Sequence, residues 1–156
     1  MKKNKKNKTI LTQIKKKIAN WDKLFKYEEK YLWDKLVKKA DYIFSKYIRK
    51  RDERKDCITS DLDTCSHKIE QACHRIPRAY YSHRWNEANC SWWCVSCNSY
   101  HPQSHWMSFE RYQINKYWME WVEEQHREKN KKKPTIEELN EIIEKFWKLY
   151  EELLNK

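Results

Sequence analysis

The sequence predicts an α+β protein, mostly helical, with a small metal-stapled core between N- and C-terminal helices. Three observations predict it. All six cysteines (57, 65, 73, 90, 94 and 97) and five of the six histidines (67, 74, 83, 101 and 105) fall between Cys57 and His105. Apolar residues on either side of that stretch recur at helical spacing. Charged residues make up 37% of the 156 positions and mean hydropathy is −1.18, which leaves too little aliphatic material for a large core. Nine tryptophans and ten tyrosines must supply much of the buried area.

The chain divides by composition into four parts. Residues 1–20 form a basic, partly disordered arm that opens with MKKNKKNK. Residues 21–56 are a helical arm, within helix-like sequence that runs from about Thr9 to Lys50. Its stripe is Leu32, Leu36, Ala40, Ile43 and Tyr47, thickened by Val37, Phe44 and Ile48. Residues 57–105 are the metal-stapled core, where Ala79-Tyr80-Tyr81 reads as a strand and two or three short strands are expected. Residues 106–156 are C-terminal helices. The first starts at Pro102, a residue tolerated in a first helical turn. It presents Met107, Ile114, Trp118, Trp121 and Val122 and is broken at Asn130–Lys133. The last starts on a capping box, with Thr135 as N-cap and Glu138 three residues on. It buries Leu139, Ile142, Ile143, Phe146, Tyr150 and Leu153. Glycine is absent, so turns that need positive φ are expected at Asn, Asp or Ser.

Charge narrows the partners. Residues 1–56 hold 20 Lys and Arg against 8 Asp and Glu, a surplus of +12, while the remainder of the chain is at −1. A basic arm favours polyanions: DNA, RNA or an acidic membrane surface. No window approaches the roughly 18 apolar residues of a membrane span. The Lys-rich start lacks the apolar run of a signal peptide, so the expected location is the cytoplasm. Thiols stay reduced there, and Cys-x-x-Cys means metal more often than disulfide.

Cys94-x-x-Cys97 has the spacing of a zinc knuckle, in which a tight turn brings two thiolates to one ion. Cys57 is the third ligand. Ser60 stands where a second Cys-x-x-Cys would end, so Cys65 is the nearest fourth. Reduced, buried thiols are the alternative, and a disulfide is a third. Trp92 and Trp93 are expected to pack over the knuckle.

His74, then Asn89, then Cys94-Val95-Ser96-Cys97-Asn98 resembles the HNH nucleases and their ββα-metal motif. That resemblance implies an HNH-like core. His74, at the end of a strand, would be the general base, Asn89 the residue that braces the loop and orients His74, and Asn98, at the start of a helix, a ligand of a catalytic ion. His101 and His105 are further candidates for that ion, which would be magnesium or manganese. Arg75, Arg78 and Arg84 beside His74, with Lys46, Arg49 and Arg51, are candidate DNA contacts.

The likeness extends to one family. Phe44-Ser45-Lys46-Tyr47-Ile48-Arg49-Lys50-Arg51-Asp52, Cys57-Ile58-Thr59-Ser60, Ala72-Cys73-His74 and Arg84-Trp85-Asn86-Glu87-Ala88-Asn89 are similar to the phage NinG (Rap) recombination proteins. So are Lys116-Tyr117-Trp118 and Thr135-Ile136-Glu137-Glu138-Leu139. The resemblance implies an endonuclease that cleaves branched DNA in phage or prophage recombination, in the host cytoplasm. A zinc-stabilised protein that binds junction DNA without cutting it is the alternative, and a zinc-stabilised RNA- or protein-binding factor is a second one. The chain departs from the family where Cys73 and Trp118 stand at usual glycine positions, at Ser91-Trp92-Trp93, and at Gln103-Ser104-His105.

Overall fold

The structure is a computed structural model. It describes the backbone of residues 2–53, 56–60, 65, 69–100 and 102–155, and their side chains except at 2–25, 69, 70, 99, 100 and 102–106. The chain divides into two compact units, Met1–Val37 and Lys38–Lys156.

The first helix, α1, spans Lys2–Arg51. It includes the Lys-rich start expected to be disordered. No Pro or Gly interrupts those 50 residues, and lysine is a good helix former. Within the first unit, Tyr27, Tyr31 and Leu32 are exposed, and the Lys35 ammonium lies 4.3 Å from the Tyr31 ring centre. Leu32, expected in the buried stripe, is therefore on the solvent side.

In the second unit, α1 contributes Ala40, Ile43, Phe44, Tyr47 and Ile48 to the core. They meet α5 (Ile136–Leu154), whose Leu139, Ile143 and Phe146 are buried. Phe44 and Phe146 meet edge to face at 4.8 Å, and Tyr47 lies 5.3 Å from Phe146. Such ring pairs add to the area they bury. The expected capping box is present: Thr135 Oγ1 accepts from the Glu138 N–H, and Glu138 accepts from the Thr135 N–H. It satisfies two donors that the helix start otherwise leaves open.

The sheet is one antiparallel hairpin. β1 (Ile69–His74) pairs with β2 (Cys90–Cys94), with Cys73 opposite Ser91 and His74 opposite Cys90. The expected strand at Ala79–Tyr81 is absent. The Tyr80 N–H closes a turn on the Pro77 carbonyl, and Tyr81 opens the short helix α2 (Tyr81–Arg84). Proline fixes φ at the turn and removes a ladder donor, which outweighs the β propensity of two tyrosines.

After β2 come one π-helical turn, Ser96–Tyr100, then α3 (Pro102–Tyr117) and α4 (Met119–Glu128). The sequence reading had one helix here, broken at Asn130. The structure breaks it at Trp118, whose φ of 59° and ψ of 165° lie in a region populated essentially by glycine alone. This is the one positive φ among the described residues, and it falls on tryptophan rather than on Asn, Asp or Ser. The break also turns the apolar side. Met107 and Trp118 are exposed, at 71% and 74%, while Phe109, Gln113 and Val122 are buried.

Candidate metal centre and the histidine loop

The hairpin carries two different sites on its two faces, because successive strand side chains alternate. Cys73 packs against a buried cluster of Cys57, Cys65, Trp93, Cys94, Cys97 and Phe109. Its neighbour His74 lies against Phe44 of α1, with ring centres 5.7 Å apart.

On the first face, Cys57, Cys65, Cys94 and Cys97 bring their sulfurs within 4.8 Å of one another, all four buried. The Cys65 and Cys94 sulfurs are 3.8 Å apart. A tetrahedral ion with metal–sulfur bonds of about 2.3 Å has sulfur–sulfur edges of about 3.8 Å. The surroundings also suit thiolates. The Cys94 N–H points at Cys57 Sγ and the Cys97 N–H at Cys94 Sγ, each at 3.4 Å. Thr59, fully buried, places its hydroxyl 3.2 Å from Cys57 Sγ. The turn that presents Cys57 is closed by the Ser60 N–H on the Cys57 carbonyl. Burial pushes the Cys97 thiol up, and the neighbouring thiols push it the same way against a bond from Thr59. Four crowded sulfurs of this kind deprotonate together for a cation. The set fits zinc, and Cys65 completes it.

Trp93 covers the cluster, 5.1 Å from the Phe109 ring. The indole N–H groups of Trp92 and Trp93 are buried without an acceptor among the described residues.

On the second face, the loop between the strands hangs on Asn89. Its Oδ1 accepts from the Ile76 N–H at 2.7 Å, and its Nδ2 donates to the Ile76 and His83 carbonyls. Its own carbonyl accepts from the Arg75 N–H. Asn89 thus ties the loop together through Ile76, His83 and Arg75, with no bond among the described residues to His74, which the resemblance has it orient. The loop carries Arg84, whose carbonyl accepts from His74 Nε2 at 2.7 Å. A carbonyl only accepts, so Nε2 bears the proton and Nδ1 carries the lone pair. Nδ1 faces Cys90 Sγ at 3.9 Å. Burial lowers the His74 pKa to about 4, against the Arg84 carbonyl bond, which raises it. Burial also raises the Cys90 thiol well above its usual range, so it stays protonated.

Asp41 of α1 holds the far end of the loop. Its carboxylate takes both Arg84 Nε and Nη2 (2.9 and 2.6 Å) and the Trp85 indole N–H (3.0 Å).

The other candidates are distributed as follows. Asn98 lies in the π-helical turn and donates to Gln71 on β1. Gln71 and His74 are three residues apart on one strand, so Asn98 pairs on the face opposite His74. His101 and the His105 side chain lie outside the described residues. Arg75 is 1% exposed and its Nη1 donates to Glu110 and to His126 Nε2. Arg51 donates to Asp52 and to the Glu87 and Cys90 carbonyls. Arg84 is taken up by Asp41, and Arg49 donates to the Ser45 carbonyl. Lys46 lies over the Tyr42 ring, and Arg78 is 61% exposed. Three of the six basic candidates therefore hold the fold together.

Sequence reading missed Thr59, Asp41 and the Arg75–Glu110–His126 cluster. Thr59 lies two residues after a ligand cysteine, a position where a hydroxyl reaches the sulfur. The other two depend on contacts across more than 30 residues, which leave no local signal.

Fold and site together define a mostly helical protein built on a two-stranded hairpin, with a four-cysteine centre that could hold a metal such as zinc. The family model for NinG, described as the bacteriophage lambda NinG protein, matches residues 1–156, so the chain belongs to the NinG family. Membership suggests a phage recombination-related protein. No curated protein and no solved structure matches. No helix among the described residues is long and apolar enough to cross a membrane.

Proposed function

We propose that this protein is a metal-dependent DNA endonuclease acting on branched recombination intermediates, with His74 as general base. The observation that carries the reading is the state of His74. It ends β1, it is neutral at pH 7, and its Nε2–H is committed to the Arg84 carbonyl. The Nδ1 lone pair is therefore the site that takes a proton from water. Asn89 holds the loop that supplies the orienting carbonyl. The order of strand, strand and helix around a cysteine-stapled centre supports the same reading. Zinc at Cys57, Cys65, Cys94 and Cys97 would be structural, because four thiolates fill its coordination. A magnesium or manganese ion at Asn98, His101 or His105 would neutralise charge on the phosphate. Among the described residues only the four cysteines cluster as candidate metal ligands.

One observation favours a second reading, a zinc-stabilised protein that binds branched DNA without cutting it. Nδ1 faces buried Cys90, and Asn98 is on the other face of the hairpin. Cleavage of labelled branched DNA with magnesium or manganese separates the two. The endonuclease reading expects cleavage, and a drop of about a hundredfold or more in His74→Ala, with DNA binding and zinc content retained. Binding without cleavage under either ion selects the second reading.

A further inference from the structure

A cleft on the second unit is not used by either site. It has a volume of about 340 Å³ and lies between α2 and the segment that leads into α5. We infer that this cleft takes one unpaired nucleotide of a DNA strand, stacked on the half-buried Tyr81 ring beside buried Trp85, with its phosphates on the lysines of the 129–133 segment.

The floor is aromatic and fixed. Trp85 is buried and its indole N–H is anchored on Asp41, so the ring does not turn. Tyr81 lies 6.2 Å from it at 39°. The Arg84 guanidinium lies over both rings, 5.3 and 5.5 Å from their centres. A base that enters from solvent meets a braced π surface, the usual platform for unpaired nucleotides.

The lining carries both charges, Lys132 and Lys133 against Glu138 and Glu141. In the same segment, Lys129 and Lys131 each lie 5.3 Å from the centre of the Tyr80 ring, and Arg78 is exposed nearby in sequence. A bare phosphate would be attracted by the lysines and repelled by the carboxylates. A nucleotide satisfies both. Its phosphates lie along the lysines, and an exocyclic amino group donates to a carboxylate, which only accepts. Glu138 is already oriented, since its Oε2 accepts from the Thr135 N–H at 2.7 Å. Cytosine and adenine carry that amino group and thymine does not.

Size points to a single nucleotide. The volume is at the lower end of the roughly 300–1,000 Å³ of small-ligand sites. A base in a stack cannot enter, so the ligand is a strand with an unpaired nucleotide. The inference rests on the branched-DNA reading for the identity of the polymer, since branch points are where a duplex exposes unpaired bases.

The test uses the full zinc-loaded chain and fluorescence anisotropy. The probes are a duplex, the same duplex with a single-stranded dC flap, and one with a dT flap. Expected is a gain of about tenfold from the dC flap over the plain duplex, the scale of one stacked base, and a smaller gain from dT. Tyr81→Ala should abolish the flap gain and leave duplex binding unchanged. Replacing both carboxylates of the cleft, Glu138→Ala with Glu141→Ala, at two exposed positions, should erase the preference for dC over dT. Equal affinity for flapped and plain duplex in the wild-type chain overturns the inference while the branched-DNA reading stands. A flap gain that Tyr81→Ala keeps overturns it too, and so does a preference for dC that survives loss of both carboxylates. Tighter binding of an RNA strand of the same sequence overturns the assignment to DNA. Failure to bind any of the DNA probes overturns both the inference and the reading beneath it.

Discussion

His74 and Trp118 show what single residues impose on this fold. His74 is held neutral by burial, with its pKa lowered to about 4 from 6.5. A depressed folded pKa means that the unfolded chain takes up the proton first. The stabilisation is complete above pH 6.5 and is lost as pH falls from there toward 4. Its size is up to about 3 kcal/mol. His83 is also lowered, chiefly by burial, and acts in the same direction. Urea unfolding between pH 4 and 6.5 should show stability falling with pH, and His74→Asn should flatten that slope. Trp118 carries a different load. Its backbone conformation costs a non-glycine residue on the order of 1–3 kcal/mol, and its side chain is 74% exposed, so little packing offsets the strain. Trp118→Gly should raise Tm by several degrees, as read by differential scanning calorimetry. The place of His74 at the end of a strand is what the HNH resemblance implies, and β1 does end there. The partner Arg84, and the face His74 takes, were not legible in the sequence, because they depend on how the loop folds back.

Among the elements, helices were read best. α5 has a capping box and a clear stripe, and both are present with Leu139, Ile143 and Phe146 buried. The hairpin was read worst. β1 and β2 are short and cysteine-rich, so neither has the alternating pattern by which a strand is recognised, and the tyrosines at 80 and 81 drew attention to the wrong segment. Cys94 and Cys97 could be assigned as candidate ligands from Cys-x-x-Cys spacing, with Cys57 as a third, but no motif of spacing selects Cys65; only the closure of the sulfurs does. That closure ties the segment 57–65, which has no strand or helix in its described residues, to the end of β2. Removing the metal should therefore loosen the hairpin first. Cys94→Ser is expected to release the zinc, about one ion per chain by metal analysis. Circular dichroism should still show most of the helix signal, while near-ultraviolet bands from Trp93 collapse. Retention of both zinc and those bands would contradict a structural role for the centre.

At the scale of the molecule, charge and sequence position are coupled. For the proposed DNA binding, the +12 surplus of residues 1–56 predicts strong dependence on salt, because each phosphate contact releases counterions. Affinity should fall steeply with salt. Deletion of residues 1–20 should flatten the slope of log K against log salt, measured by anisotropy. An unchanged slope would place the contacts elsewhere, on the lysines of 129–133 and Arg78 among others. The break at residue 118 has a consequence of another kind, for how the gene is read. This chain has no glycine and nine tryptophans, one of them in a glycine conformation and two with buried indole N–H groups that find no acceptor among the described residues. A source whose ribosomes decode as glycine a codon that is read here as tryptophan would leave this pattern in a conceptual translation. Tandem mass spectrometry of the tryptic peptide Tyr117–Arg127 from the source cell is the check. The expected residue at position 118 is glycine, and a tryptophan there would mean that the strain is carried by the living protein.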